Sequence, residues 1–387
     1  MNKIIYNLFV VFFIGSFGLM AQSQKKYQKN FTVDKNTKLK FETRNIDVTF
    51  KIWNRDEVKV DFVVDFKNYS EEEIKHVSNG IVVVATMQST MGDSNYLLIK
   101  NASPTSIGKL SYQLKEGEIH IENMSWEKDE PNKYRTVKDI NKEISGDSND
   151  FYDLDGYVVF KNDSVALKDI KNSNHRKIQS ISSSYEIYLP AYMMMDIMAN
   201  QANINFDGKF TNHIQGAFYD SQLRASEFDN ENNSFTFING SVKVKKIKGG
   251  SFAFKNVTNG LLGQLENVMM QTEFSKFNIG EITKNVQFKD FKSNFFIYNL
   301  GENFELINMV CEYSDIKMYA IKDQKYFMEA VGNNAVLNDH GTKIIMQPNR
   351  DGKKFKMFTR GKDDVATRKN TFKLDLIHGF VSLFYNN

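Results

Sequence analysis

Six histidines stand singly along the chain: His76, His120, His175, His213, His340 and His378. Zinc chemistry asks for imidazoles or thiolates paired at i, i+2 or i, i+4, and none of the six has a second His or Cys at that spacing. His120, set between two isoleucines, reads as an ordinary strand residue. The single cysteine lies in Met309-Val310-Cys311-Glu312-Tyr313. A thiol nucleophile needs a histidine or cationic neighbour to lower its pKa, so an apolar strand context makes Cys311 a buried, inert thiol. The acidic run Asp147, Asp150, Asp153 and Asp155 with Gly156 superficially resembles a calcium loop. Phe151 and Tyr152 fall where oxygen ligands belong, and no glutamate closes the loop at the required offset. A solvated loop accounts for it.

Polysaccharide cleavage is the other chemistry to test. It needs carboxylates, or a basic residue beside a metal, converging from neighbouring strands. Asp229, Glu231, Glu266, Glu273, Glu281 and Asp290 do not recur at one position of the strand pattern. No glycine-rich phosphate loop or nucleophile elbow is present. Lys243 and Lys245 alternate with Val242 and Val244, and the alternation slips at Lys246 before Ile247 and Lys248. That spacing directs the lysines outward, as the solvated face of a strand, where they also discourage edge pairing, or as a patch for anionic polysaccharide or lipopolysaccharide. No catalytic, cofactor-binding or metal-binding residue is therefore assigned, no cofactor is expected, and the ligand-contacting residues stay unassigned.

The elements that would carry these residues are strands. Leu39 and Phe41, then Ile46, Val48, Phe50 and Ile52, then Val58, Val60, Phe62 and Val64 alternate with polar residues, as half-buried strands do, with Asn54–Glu57 as a turn between the last two. Ser70-Glu71-Glu72-Glu73 is a capping box opening a short helix with Ile74 and Val77 on its apolar side. Asn79-Gly80 ends that helix, and a strand begins at Ile81. Residues 101–180 are rich in charge clusters and turn formers, with strands at Ile119–Ile121 and Tyr157–Phe160. They read as a charged loop insertion or as a small β unit of their own. Tyr185–Pro190 is an alternating strand closed by proline. From there short strands recur around Ile204, Leu223, Val244, Leu262, Phe277, Ile297 and Ile316, many of them preceded by Asn-Gly, Lys-Gly or a lone Ser, with further strands half-way at Phe235–Phe237 and Phe252–Phe254. A period near 20 residues with two strands in each is what a parallel β-helix produces. One coil cannot bury its inward side chains alone, and stacked coils can. Hairpins of a β-sandwich would account for the half-period as well. Phe372–Leu376 and Val381–Phe384 read as two final strands.

Composition agrees. The 387 residues include 32 Phe and only 4 Pro, which suits long hydrogen-bonded strands, since proline removes a ladder donor. With 50 Lys and Arg against 47 Asp and Glu the net charge is +3, too balanced to draw the chain to nucleic acid. Lys3 precedes an apolar run, Ile4 to Met20, that stops at Ala21-Gln22. A basic start, an apolar core and a small residue at a polar boundary make a secretory signal peptide over residues 1–21. As a membrane anchor the run would be diluted by Asn7, Gly15 and Gly18. No cysteine near Ala21 offers a lipid attachment site, and no later segment is apolar enough to span a bilayer. A lone Cys311 leaves an exported chain without an internal disulfide.

The stretch FTVDKNTKLKFETRNIDVTFKIWNRDEVKVDF, Phe31–Phe62, resembles the opening of the bacterial "putative adhesin" domains of β-helix type. The order there is a strand, a short turn, a second strand, an aromatic and a "deV.V" strand, matched here by Leu39–Phe41, Ile46–Ile52, Trp53 and Asp56–Val60. SYEIYLPAYMMMDIMANQANINF, Ser184–Phe206, is similar to the family's strand, "lP", strand, turn and first repeat, with Ala202-Asn203 where a glycine follows asparagine in the family. The resemblance implies an extracytoplasmic β-helix with no established catalytic residues. The expectation is an all-β chain, a parallel β-helix or solenoid over 181–387, behind a β-rich region over 22–180 with one short helix. The expected role is a non-catalytic exported cell-envelope protein, an adhesin-like binding or structural scaffold in the periplasm or at the cell surface, with polysaccharide or another envelope component as partner. A carbohydrate-active β-helix enzyme and a periplasmic accessory of envelope signalling are the alternatives. An enzyme requires a groove of converging charged groups; a scaffold requires dispersed charges or an aromatic strip.

Overall fold

The computed structural model describes residues 23–67, 69–79, 83–89, 95–101, 178–321, 326–347 and 370–386, together with the backbone of short strands at 111–114, 117–119, 121–122, 157–160, 163–166 and 355–360. The expected signal peptide, the acidic run at 147–156, His120, His175 and most of the charged segment 101–180 lie outside the described residues. The described chain is almost all strand, with one short helix, and 26 strands join one mixed sheet. The helix, α1 (Glu71–Asn79), opens as its sequence demands: Ser70 N donates to Glu73 Oε2 at 2.6 Å and Glu73 N to Ser70 Oγ at 3.3 Å. The strand after it is Val84–Ser89 among the described residues, and Ile81, where the sequence places its start, lies outside them.

Most of the sheet consists of two parallel ladders built from the same rungs. Each rung gives one strand, or one half of a bent strand, to the first ladder and the next to the second. Among the described residues there are ten, numbered here in chain order: rung 1 (Thr37–Arg44 and Asp47–Trp53), rung 2 (Met194–Asn200 and Asn203–Phe210), rung 3 (Ile214–Asp229), rung 4 (Ser234–Lys248), rung 5 (Ser251–Glu266), rung 6 (Val268–Glu273 and Lys276–Ile282), rung 7 (Val286–Phe291 and Asn294–Ile297), rung 8 (Leu306–Glu312 and Asp315–Ile321), rung 9 (Phe327–Asn333 and Ala335–Asp339) and rung 10 (Thr371–Ile377 and Phe380–Asn386). Rungs 1 to 8 pair in sequence. Rung 1 pairs directly with rung 2, although well over a hundred residues separate them, so the parallel ladders run across position 181 without a break. At the start of the stack, rung 1 is flanked by Asn95–Lys100 and Ile178–Pro190, also parallel to it. Antiparallel strands lie beyond them, Val84–Ser89 on one and Glu57–Lys67 on the other.

The inward residues of both ladders merge into one apolar core. Alternation decides which they are: Val242 and Val244 are buried while Lys243 and Lys245 face out, and the slip at Lys246 returns Ile247 to the core. Register corrects one reading of the repeat. Leu223 stacks on Val242 and Val244 on Leu262; Phe277 stacks on Phe295 and Ile297 on Met318. Each strand offers two inward positions, and the recurrence read from the sequence moves from one to the other at Val244, Phe277, Ile297 and Ile316. The column through Ile204 runs Leu223, Val242, Gly260, Phe277, Phe295, Ile316. Gly260 belongs there because a Cβ on it would come within 2.2 Å of the Phe277 ring.

Candidate functional site

The surface begins at the corner where each rung passes from the first ladder to the second. One residue makes the turn with a left-handed backbone: Asn45, Gln201, Asp220, Asn239, Asn256, Phe274, Lys292, Tyr313, Asn334 and His378, with φ between 47° and 61°. The residue after it points inward and is small or hydroxylated where space is tight, as at Ala202, Ser221, Gly240, Ser275, Ser293, Ser314 and Gly379. The serines fasten neighbouring rungs. Ser221 Oγ donates to Tyr219 O at 2.6 Å and accepts Ala202 N at 3.1 Å. Ser275 Oγ donates to Glu273 O at 2.8 Å and accepts Val257 N at 3.0 Å, and Ser293 Oγ accepts Ser275 N at 3.0 Å. A buried turn leaves backbone groups that must find partners, and these hydroxyls supply them.

Outside the corner, two kinds of side chain share the column. In rungs 3 to 5 it is an amide ladder: Asn239 Nδ2 donates to Asp220 Oδ1 at 2.8 Å, and Asn256 Nδ2 to Asn239 Oδ1 at 3.2 Å. At rungs 6, 8 and 10 it is a ring, Phe274, Tyr313 and His378, and at rung 7, where Lys292 makes the turn, the ring of the preceding Phe291 joins them. Phe274 meets Phe291 edge to face at 5.4 Å, Phe291 meets Tyr313 at 5.8 Å, and Tyr313 stacks on His378 at 4.9 Å with 9° between the planes. Lys292 Nζ lies 5.7 Å from the Phe274 ring centre. Phe274, Phe291 and Tyr313 are 43%, 37% and 49% exposed. Asparagine and aspartate tolerate the left-handed region; a bulky aromatic there is an outlier costing about 1–3 kcal/mol. Phe274 and Tyr313 are held there nonetheless.

The second ladder continues the aromatic field. Tyr298 stacks on Tyr319 at 5.4 Å, Tyr319 on Phe384 at 5.1 Å, and Lys317 Nζ lies 5.0 Å from the Phe296 ring centre. Leu261 and Tyr298 form a small apolar cluster separate from the core, with Phe296 and Tyr319 against it. The Tyr298 hydroxyl donates to Asn278 Oδ1 at 3.2 Å, and burial pushes its pKa well up, so the phenol stays neutral. Phe380, two residues beyond His378, is exposed. Rungs 6, 7, 8 and 10 thus carry aromatic side chains around one corner and onto one outer face.

Beneath this field sits the one buried carboxylate of the sequence-derived acidic set. Asp290 accepts Ser293 N at 3.1 Å and the hydroxyls of Ser314 and Thr272. Thr272, Asp290 and Cys311 stack in register on the core side. Burial pushes the Cys311 thiol far above its usual pKa, with the neighbouring Asp290 adding to the effect, which makes it the inert thiol its context suggests. The other acids lie apart, on outward faces. Asp229 bonds Lys209 at 2.5 Å, Glu273 pairs with Lys255 at 3.0 Å, and Glu281 accepts amides of Gln264 and Asn299. Lys246 and Lys248 of the lysine strand stand opposite Glu227 and Asp229 in register. Among the described residues no three of His, Cys, Asp and Glu gather as a metal-holding group. Of the four described histidines, His76 lies in α1, the His213 carbonyl accepts Met195 N at 2.9 Å just before rung 3, His340 lies 3.2 Å from Asp339, and only His378 joins the aromatic field.

No family model matches the chain. No curated protein matches it. A crystal structure of a "putative cell adhesion protein" from Clostridium sporogenes aligns over 94% of this chain and all of its own, at 11% identity and a TM-score of 0.19, too low to assign a shared fold.

The aromatic column escapes a reading that looks for titratable groups, because its members come from four separate stretches. A signal is present in the turns: Glu-Phe-Ser at 273–275, Phe-Lys-Ser at 291–293, Glu-Tyr-Ser at 312–314 and Ile-His-Gly at 377–379 repeat the pattern of Tyr-Asp-Ser at 219–221 and Ile-Asn-Gly at 238–240. Aligned on the small residue, the preceding position changes from Asp and Asn to Phe, Lys, Tyr and His.

Proposed function

We propose that this protein is an exported, non-catalytic binding scaffold of the cell envelope, in which the two ladders close into a β-solenoid of β-helix type and the aromatic field is the contact surface, with polysaccharide or another envelope component as its partner. The observation that carries the reading is the pair Phe274 and Tyr313, whose rings are kept exposed on a backbone conformation that disfavours them, with Phe291 lying between them. Energy stored in this way at a surface marks a place where the side chain matters more than the turn. Aromatic rings offer an apolar body to sugar C–H groups, and Lys292, Lys317 and Tyr319 add polar contacts at the margin. The basic-apolar-small leader and the resemblance of Phe31–Phe62 and Ser184–Phe206 to adhesin domains support export and an envelope role. The dispersal of the carboxylates favours binding over turnover.

Affinity electrophoresis of the mature protein through gels containing envelope polysaccharides tests the surface. Retardation by at least one polysaccharide is expected, and its loss in the variant carrying Phe274→Asn, Phe291→Ser and Tyr313→Asn. Undiminished retardation of the folded variant rejects the surface. Protease treatment of intact and lysed cells tests the location: digestion only after lysis assigns the protein to the periplasm, where a surface-adhesion role fails.

A further inference from the structure

The outer face of the second ladder is divided by charge. Away from the corner, acids and lysines hold one another. Lys209 bonds Glu227 at 3.2 Å and Asp229 at 2.5 Å, Lys248 lies 3.8 Å from Asp229, and Glu281 takes the amides of Gln264 and Asn299. The two outward positions of each rung nearest the corner are different, and register sets them in two columns over rungs 3 to 8. The first runs through Gln222, Ser241, Asn259, Lys276, Asn294 and Asp315. The second runs through Arg224, Lys243, Leu261, Asn278, Phe296 and Lys317. Four cations, Arg224, Lys243, Lys276 and Lys317, therefore share this strip with one acid, Asp315. Rung 10, which lies between rungs 8 and 9, ends the strip with the uncharged Phe380 and Ser382. Beyond it rung 9 carries two antiparallel strands, Thr342–Met346 and Phe355–Arg360.

The strip is also suited to sugars. Leu261 and Asn278 point outward yet are buried, because Tyr298 packs with Leu261 and bonds Asn278. Phe296 stands beside them with Lys317 Nζ 5.0 Å from its ring centre. Aromatic bodies meet the C–H faces of sugars, the amides of the first column meet hydroxyls, and cations meet carboxylates through charge-assisted bonds. Length decides between a small anion and a polymer. Neighbouring strands lie about 4.8 Å apart, so the five steps from Arg224 in rung 3 to Lys317 in rung 8 cover about 24 Å. A free phosphate or a single headgroup meets one of these cations; a chain laid along the stack meets all four.

We infer that the partner of this face is a linear polysaccharide bearing carboxylates. It lies along the stack with its sugars on the two columns and its carboxylates at Arg224, Lys243, Lys276 and Lys317. The inference rests on the aromatic surface proposed above and names the class of its ligand.

Affinity electrophoresis of the mature protein in gels holding polygalacturonate, its methyl ester or polyglutamate tests it. Polygalacturonate is expected to retard the protein most, and added salt to weaken the effect, because screening acts on exposed charges. In Lys243→Gln with Lys317→Gln the apparent dissociation constant should rise at least about fivefold. Lys246→Gln with Lys248→Gln removes the same charge from the acid-paired half and should stay within about twofold of the unsubstituted protein. Equal weakening by the two pairs overturns the strip as the site, and polyglutamate matching polygalacturonate overturns the sugar. If the ester retards as strongly as the acid, and the variant carrying Phe274→Asn, Phe291→Ser and Tyr313→Asn loses both, the carboxylate assignment fails while the aromatic surface stands. Retardation by neither polysaccharide rejects both.

Discussion

The corner column has two halves that perform the same turn with opposite materials. In rungs 3 to 5, Asp220, Asn239 and Asn256 adopt the left-handed conformation with side chains suited to it, and they bond one another along the stack. In rungs 6 and 8, Phe274 and Tyr313 hold the same backbone with side chains that resist it, and with Phe291 and the tolerant His378 of rung 10 they cohere through ring contacts. Inside the corner the two halves also differ. The serine hydroxyls suffice at rung 3, while the aromatic half adds Asp290, which ties Thr272, Ser293 and Ser314 across three rungs. The difference teaches that the turn is set by the small inward residue and the hydrogen bonds behind it. The outward residue is thereby free to be chosen for what it meets.

That comparison can be broken most directly from within. Asp290→Ala leaves the Ser293 N–H and the Thr272 hydroxyl without their acceptor and the Ser314 hydroxyl only Glu312 O, at 3.2 Å, and a loss of about 3 kcal/mol is expected, against about 1 kcal/mol for Ser221→Ala in the amide half. Urea midpoints of the two variants decide it, and equal losses would mean that Asp290 is no keystone. Next in size is Asn239→Phe, which puts an aromatic on the amide half. It combines backbone strain with two lost side-chain bonds and should cost about 2 kcal/mol in the same titration. Tyr313→Asn makes the reverse exchange. Relief of strain offsets the lost stacking, so stability should stay within about 1 kcal/mol of the unsubstituted protein while polysaccharide retardation weakens. A large loss of stability would instead make Tyr313 a structural element.

The smallest effect concerns acid. A hydrogen bond from Lys209 holds the Asp229 carboxyl below its usual pKa, tying rung 2 to rung 3 outside the amide half. Because the folded pKa is the lower one, the contribution is complete above the ordinary carboxylate range and disappears as pH falls through the depressed value. The gap in urea midpoint between the unsubstituted protein and Lys209→Met should therefore be open at neutral pH and close as pH falls below the ordinary carboxylate range. A gap that persists in acid removes the ion pair from the account.

Alternation made much of this legible from the residues. Val242, Val244 and Ile247 face the core as their spacing requires, the capping box at Ser70 forms as written, and Phe372–Leu376 and Val381–Phe384 are the last strands. Register was less legible, since a strand with two inward positions leaves a repeat free to drift by two residues, as it did at Val244. The position of rung 10 was not legible at all. A local period states that a segment is a rung but carries nothing about which rungs it lies between; that is fixed by long-range contacts such as Leu374 between Met309 and Ala330. The aromatic surface stayed hidden for a related reason. Phe274 and Tyr313 look like core residues by type, and only the left-handed turn beneath them sends their rings outward.

The strands at the two ends of the stack carry a last consequence. A parallel ladder repeats its own edge and is in principle a seed for endless growth, each molecule prolonging the one below. Here Val84–Ser89, and Glu57–Lys67 with Ser23–Thr32 antiparallel outside it, at one end, and Thr342–Met346 and Phe355–Arg360 at the other, run against the direction of their neighbours. Among the described residues, neither end offers an arriving molecule the parallel register in which rungs 1 to 8 repeat. The repeat that would otherwise invite a fibre is, among the described residues, interrupted at both of its ends.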